Sequence, residues 1–193
     1  MARRTARLRG QNGRAMARWV ALLRGVNVGG NARLAMADLR RILGALGATD
    51  VITYLQSGNA VFADPRSAPV LEREIAGALA ADAGMSTKVL VRSAAAMAAT
   101  VAANPFPDAV ATPTTLHVAF LSGTPSKDLT AGIDRVRFAP DELRVKGDLV
   151  YVHLPNGFAR TKLTNDMWER SLGVTSTMRN WNTVTRLAEL AAG

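Results

Sequence analysis

Between Ala17 and Arg92 the apolar residues switch repeatedly between strand and helix spacing, and the order they spell is β-α-β-β-α-β. The run A-R-W-V-A-L-L-R (17–24) is short, apolar and bounded by Gly25, as a buried strand is. A Gly/Asn-rich loop runs from Gly25 to Asn31. Met36, Leu39, Ile42, Leu43 and Leu46 then recur at helical spacing, with Gly47 as the stop. Val51 to Leu55 is β-branched and aromatic, so it reads as a strand. Gln56-Ser57-Gly58-Asn59 turns the chain, and Ala60 to Ala63 returns beside it. Asp64-Pro65 ends that strand. Ser67 stands where it can cap a helix that carries Leu71, Ile75 and Leu79 on one face, and Gly84 closes this helix before a strand at Thr87 to Val91. Such an order predicts a split βαβ, ferredoxin-like sheet.

The second half repeats the plan less cleanly. Ser93 to Ala103 is an Ala-rich helix, which Asn104-Pro105-Phe106-Pro107 stops. Thr115 to Leu121 reads as a strand, Thr124 to Gly132 as a short helix or turn, and Arg135 to Phe138 as extended chain. Leu143 to Lys146 and Leu149 to Leu154 form a hairpin about Gly147-Asp148. Thr164 to Leu172 is a helix, Thr175 to Met178 a strand, and Trp181 to Leu190 a closing helix. The expected fold class is therefore α+β, with two ferredoxin-like subdomains and mainly antiparallel sheets. The expected division is a disordered basic extension at 1–15, a first subdomain with a trailing helix at 16–103, a linker at 104–113 and a second subdomain at 114–193. Met16 stands directly before the first core strand and is a natural place for translation to begin.

Composition narrows the function classes. With no cysteine, the chain carries no disulfide scaffold, thiol nucleophile, zinc ribbon or iron–sulfur site. Two histidines, His117 and His153, leave little for a transition metal, so no metal site and no cofactor are expected. No apolar run approaches the ~20 residues of a membrane helix, so no membrane partner is expected. The net charge is +9, but five positive charges (Arg3, Arg4, Arg7, Arg9 and Arg14) fall in residues 1–16, which contain no acid. The remaining 19 basic and 15 acidic groups leave only +4 for residues 17–193. An RNA-binding ferredoxin-like sheet also needs exposed aromatics on its central strands, and here those strands offer only Trp19 and Phe62. Nucleic acid is therefore disfavoured as a partner.

Three ordered segments carry a family resemblance: A-L-L-R-G-V-N-V-G-G (21–30), T-Y-L-Q-S-G-N-A-V-F (53–62) and T-M-R-N-W-N-T-V (177–184). With them the chain resembles the domain-of-unknown-function 1697 family from about Trp19 to Leu190. The turn Leu154-Pro155-Asn156-Gly157 and the pair Lys162-Leu163 are also similar to that family. The resemblance implies a bacterial, cytoplasmic protein of two ferredoxin-like parts, and it implies no activity.

Candidate site residues follow from the strand plan. The first two strands run parallel with one strand between them, so their carboxyl ends lie at one sheet edge, ~10 Å apart. Arg24, Asn27, Gly29, Gly30 and Asn31 leave the first strand there, and Gln56, Ser57 and Asn59 leave the second. Arginine suits phosphate or carboxylate, and glycine lets backbone N–H groups approach an anion. The loop lacks both G-x-G-x-x-G and Gly-Lys-Ser/Thr, which disfavours a Rossmann or P-loop site. Arg179 and Asn180 stand where a strand gives way to the last helix, a second place for an anion. The bland alternative there is that Asn180 only caps the helix.

Across the Gly147-Asp148 hairpin, Arg144 should face Tyr151 and Glu142 should face His153 on a solvated outer face, while Val145, Val150 and Val152 point inward. His117 reads as a satisfied structural histidine. No Ser-His-Asp set and no carboxylate pair marks catalysis, leaving only His153 or Asp166 as conceivable proton carriers. Catalytic residues and oligomeric state stay unassigned. The leading reading is a binder of a small anionic or phosphorylated ligand. Its alternatives are a partner-binding or structural protein, and then a nucleic-acid module.

Overall fold

The computed structural model describes residues 15–27 and 33–193. Apart from Ala15, the basic extension expected at 1–15 lies outside them, as do Gly29, Gly30 and Asn31. The chain divides into two compact units: the described residues up to Ala94 joined by Leu190–Gly193, and Ala95–Glu189.

The first unit contains β1 (Ala17–Leu23), α1 (Met36–Ala45), β2 (Thr49–Tyr54), β3 (Asn59–Asp64), α2 (Ala68–Ala83) and β4 (Val89–Ser93). Its sheet has the order β2-β3-β1-β4, with every neighbouring pair antiparallel. This is the split βαβ arrangement, so β1 and β2 run parallel on either side of β3. Ala21 and Leu23 of β1, Ala60 and Phe62 of β3, and Val89 and Val91 of β4 form one face of the core. Leu39, Ile42 and Leu43 of α1 and Leu71, Ile75 and Leu79 of α2 close over that face. Each such side chain contributes about 1.5–3 kcal/mol by leaving water. Val20 and Leu22 are equally buried on the alternate positions of β1. Burial on both faces is why β1 reads as a continuous apolar run rather than an alternation.

Two local readings are refined here. Ser67 occupies the N-cap position of α2 in an extended conformation, yet its side chain makes no capping bond; Pro69 at the helix start marks the boundary instead. Asp64 does more than end a strand: it is a buried carboxylate gripped by Arg66. Nε donates to Oδ1 at 2.9 Å, Nη2 to Oδ2 at 2.5 Å, and the Arg66 backbone N to Oδ1 at 2.8 Å. Arg66 also reaches Glu74 of α2 and donates to the Leu46 carbonyl, which follows α1, at 2.7 Å. Burial opposes ionisation of Asp64, but the Arg66 contacts outweigh it and hold the carboxyl below its usual 3.8. The stability it contributes is present above that pH and is lost as the pH falls further.

The second unit carries α3 (Ala94–Ala102), β5 (Leu116–Leu121), α4 (Lys127–Ala131), β6 (Glu142–Lys146), β7 (Leu149–His153), α5 (Asn165–Leu172), β8 (Ser176–Asn180) and most of α6 (Trp181–Ala192). Its sheet order, β6-β7-β5-β8, repeats that of the first, again wholly antiparallel. The fold is thus α+β with two split βαβ sheets. Trp168 and Leu172 of α5 pack on Ala119, Leu121, Val150 and Val152. In both units a helix glutamate satisfies an edge strand: Glu72 of α2 accepts from Val91 N at 2.8 Å, and Glu169 of α5 from Ser176 N at 3.0 Å.

Three expectations are corrected. Arg135 to Phe138 is not extended, because Val136–Phe138 forms a 3-10 turn. The hairpin register is the expected one, with Arg144 opposite Tyr151 and Glu142 opposite His153. Its outer face is not solvated at Tyr151, however, which is fully buried and donates from its hydroxyl to the Thr100 carbonyl of α3 at 2.7 Å. Burial pushes the Tyr151 hydroxyl up to about 12, with Asp148 adding to the rise. His117 is buried as expected but satisfied only in part, since its Nδ1 has no hydrogen-bond partner.

Candidate functional site

The carboxyl ends of β1 and β2 are held together by backbone and asparagine contacts. Leu23 N donates to the Gly58 carbonyl at 2.9 Å. The Asn27 Nδ2 donates to the Gln56 carbonyl at 2.6 Å and to the Leu34 carbonyl at 2.9 Å, while its Oδ1 accepts from Leu34 N at 2.9 Å. One side chain therefore closes the first loop on itself and clips it to the second turn. On the other flank, Arg24 N donates to the Lys88 carbonyl at 2.9 Å and Thr87 Oγ1 donates to the Arg24 carbonyl at 2.6 Å. The Arg24 backbone is thus fixed to the segment that leads into β4.

This edge also concentrates unusual backbone. Gly25, Asn27, Leu55 and Gly58 all adopt φ between +57° and +74°. Glycine takes that conformation freely, but Asn27 and Leu55 persist there only where surrounding contacts over-determine them, as residues at binding sites often do. At Gly58 the reason is visible: a Cβ there would lie 2.8 Å from the Leu23 Cβ and 3.3 Å from the Val26 Cβ, both in the core. Gly58→Ala should therefore destabilise the protein by about 2 kcal/mol, from left-handed strain and displaced core atoms together. Urea unfolding measures it; a change below about 0.5 kcal/mol would show that the two loops separate easily.

The predicted residues take different places in this edge. Gln56 is exposed, while Arg24, Asn27 and Ser57 are half-buried. Asn59 is fully buried, and its Nδ2 donates to the Tyr54 carbonyl at 2.9 Å and to Ser57 Oγ at 3.0 Å. Both asparagines thus build the edge from within and use their amides on the chain. Lys88 escaped sequence reasoning: it is exposed on the segment that Arg24 pairs with and adds a second positive charge there. Only strand order could have found it, because nothing near it in sequence marks it.

Arg179 and Asn180 belong to the other unit. The Asn180 Oδ1 accepts from Thr183 N at 3.0 Å and caps α6, as its sequence position implied. Arg179 is 8% exposed and donates from Nη1 to Thr177 Oγ1 at 2.8 Å and to the Met178 carbonyl at 2.9 Å. Burial pushes its guanidinium down to about 10, which leaves it cationic at neutral pH. His153, weighed as a proton carrier, is partly buried with Nδ1 3.8 Å from Glu142 Oε1 and its ring 5.8 Å from that of Phe106. His117 stacks on Phe158 with ring centres 5.1 Å apart, and desolvation pushes its imidazole down to about 4 against a weaker opposing bond to the Thr115 backbone.

Among the described residues, no three His, Asp or Glu side chains gather as metal ligands, and no helix is long and apolar enough to cross a membrane. None of the curated proteins compared with the chain matches it. Among solved structures, a conserved bacterial protein, SP0830 from Streptococcus pneumoniae, is similar at 22% identity and a TM-score of 0.74, over 93% of this chain and 100% of that one. At that identity the likeness carries the fold alone. The model of a family described as a protein of unknown function, DUF1697, matches residues 16–151, and so the chain belongs to that family.

Proposed function

We propose that the edge formed by the carboxyl ends of β1 and β2 binds a small anionic ligand, a phosphate or carboxylate, with Arg24 as its principal charge. The observation that carries this reading is the Asn27 clip, which holds the loop after Arg24 against the Gln56 carbonyl. A loop tied down in this way presents its cation with little ordering left to lose on binding. Lys88 adds charge on the adjoining segment, and Gln56 and Ser57 offer neutral hydrogen bonds from the facing turn. In this reading Asn27 and Asn59 position the site rather than touch the ligand. Gly29, Gly30 and Asn31 continue the same loop and would supply backbone donors.

A partner-binding role is the second reading. Ile52 and Leu55 favour it, because both are large apolar side chains exposed on and just beyond edge strand β2. Calorimetry with inorganic phosphate and pyrophosphate separates the two. Arg24→Ala should weaken binding by about tenfold or more, and Arg24→Lys, which keeps the charge, by less. If the wild type binds neither anion and Ile52→Asp abolishes a self- or partner association, the second reading stands instead.

A further inference from the structure

The geometry points to a separate binding site in the second unit, a groove between α4 and α5 that takes a small amphipathic carboxylate. The groove measures about 510 Å³, within the range of ~300–1,000 Å³ that small-molecule sites occupy. Leu129 of α4, Phe138 of the 3-10 turn and Met167 of α5 give it an apolar lining. Phe138 is buried and belongs to the core, so that wall is rigid, whereas Leu129 is 46% exposed and has apolar surface still to bury. An alkyl or aryl body laid against these side chains removes their surface from water.

The charged residues decide which head group fits. Two arginines, Arg137 and Arg170, and two aspartates, Asp128 and Asp134, line the groove. The acids have local tasks. The Asp134 Oδ1 accepts from Val136 N at 3.1 Å and shapes the turn, and Asp128 sits in the first turn of α4, where the backbone N–H groups favour a negative charge. The arginines keep donors to spare after their own local contacts. The Arg137 guanidinium lies over the Phe138 ring, 5.1 Å from its centre, and Arg170 stands in the last turn of α5. Among the described residues, neither has a carboxylate within 4.0 Å. Asp134 is taken up by its own turn, and two exposed, planar, multi-donor cations stand beside an apolar wall. A carboxylate satisfies such cations bidentately. The aspartates set a limit: they disfavour polyanions, so a single carboxylate on an apolar body suits this groove better than a nucleotide or a polyphosphate.

The test uses 4-phenylbutyrate as the probe, with 4-phenylbutan-1-ol and 4-phenylbutylamine as matched neutral and cationic bodies. Titration followed by the Met167 methyl NMR signal should show saturable binding of the acid, with the alcohol and the amine weaker by about tenfold or more. Arg170→Ala and Arg137→Ala should each weaken the acid by a similar factor at an unchanged melting temperature. Arg24→Ala, in the other unit, should leave the titration unaltered. Equal binding of acid and alcohol, tighter binding of the amine, wild-type affinity in both arginine variants, or no shift of Met167 at about 10 mM acid overturns the proposal. Loss of acid binding in Arg24→Ala alone would assign the carboxylate to the sheet edge and overturn it as well.

Discussion

Arg66→Ala should lower the unfolding free energy by about 3–5 kcal/mol, the cost of stranding a buried carboxylate. Asp64 is 1% exposed, and both of its oxygens are held by the Arg66 guanidinium. Without that group, the residue 66 backbone N–H is the one donor left to Asp64 among the described residues, and a charged oxygen is left buried without a partner. The same change removes the bond to the Leu46 carbonyl and the contact with Glu74, so the end of α1 and the start of α2 lose their shared tie. A second variant isolates the cause. In the double mutant Asp64→Asn/Arg66→Ala the stranded group is neutral, and about half or more of the loss should return. Urea unfolding of the wild type and the two variants measures this. A loss below about 1 kcal/mol in Arg66→Ala would mean the pair behaves like an exposed one.

Between pH 6.5 and pH 4 the wild type should lose about 3 kcal/mol of stability through His117 alone, the equivalent of a fall from 6.5 to about 4. The sign follows from the direction of that shift. Above pH 6.5 the imidazole is neutral in both states and nothing is lost. Between the two values the unfolded chain takes up a proton that the folded chain excludes, so unfolding is favoured. Below pH 4 both are protonated and the loss levels off. The window is distinct from that of Asp64, whose contribution fades only below 3.8. His117→Leu should flatten the curve over this range and be near neutral at pH 7, since it also removes the unpartnered Nδ1. Denaturant unfolding at several pH values checks both statements. A wild-type curve parallel to that of His117→Leu would show that the imidazole is hydrated and titrates normally.

Both of these residues show where sequence reasoning reaches and where it stops. The β-α-β-β-α-β order, the hairpin register about Gly147-Asp148 and the Asn180 cap were legible because each rests on interactions within a few residues. A strand or helix period shows itself over one element, and a capping bond spans three positions. The 3-10 turn at Val136–Phe138 is not legible, because three residues are too few to show a period. The assignments that define the candidate site depend on partners far away along the chain. Asn27 meets Gln56 at a separation of 29 residues, Tyr151 meets Thr100 at 51, and Arg24 meets Lys88 only because β4 lies beside β1. The same holds for the groove between α4 and α5, whose arginines come from two elements with no common pattern. Periodicity, turn chemistry and caps are local free energies, and a single chain displays them. Whether an asparagine binds a ligand or its own backbone, and whether a tyrosine faces water or a helix, depends on which surfaces the packed core brings within hydrogen-bond reach.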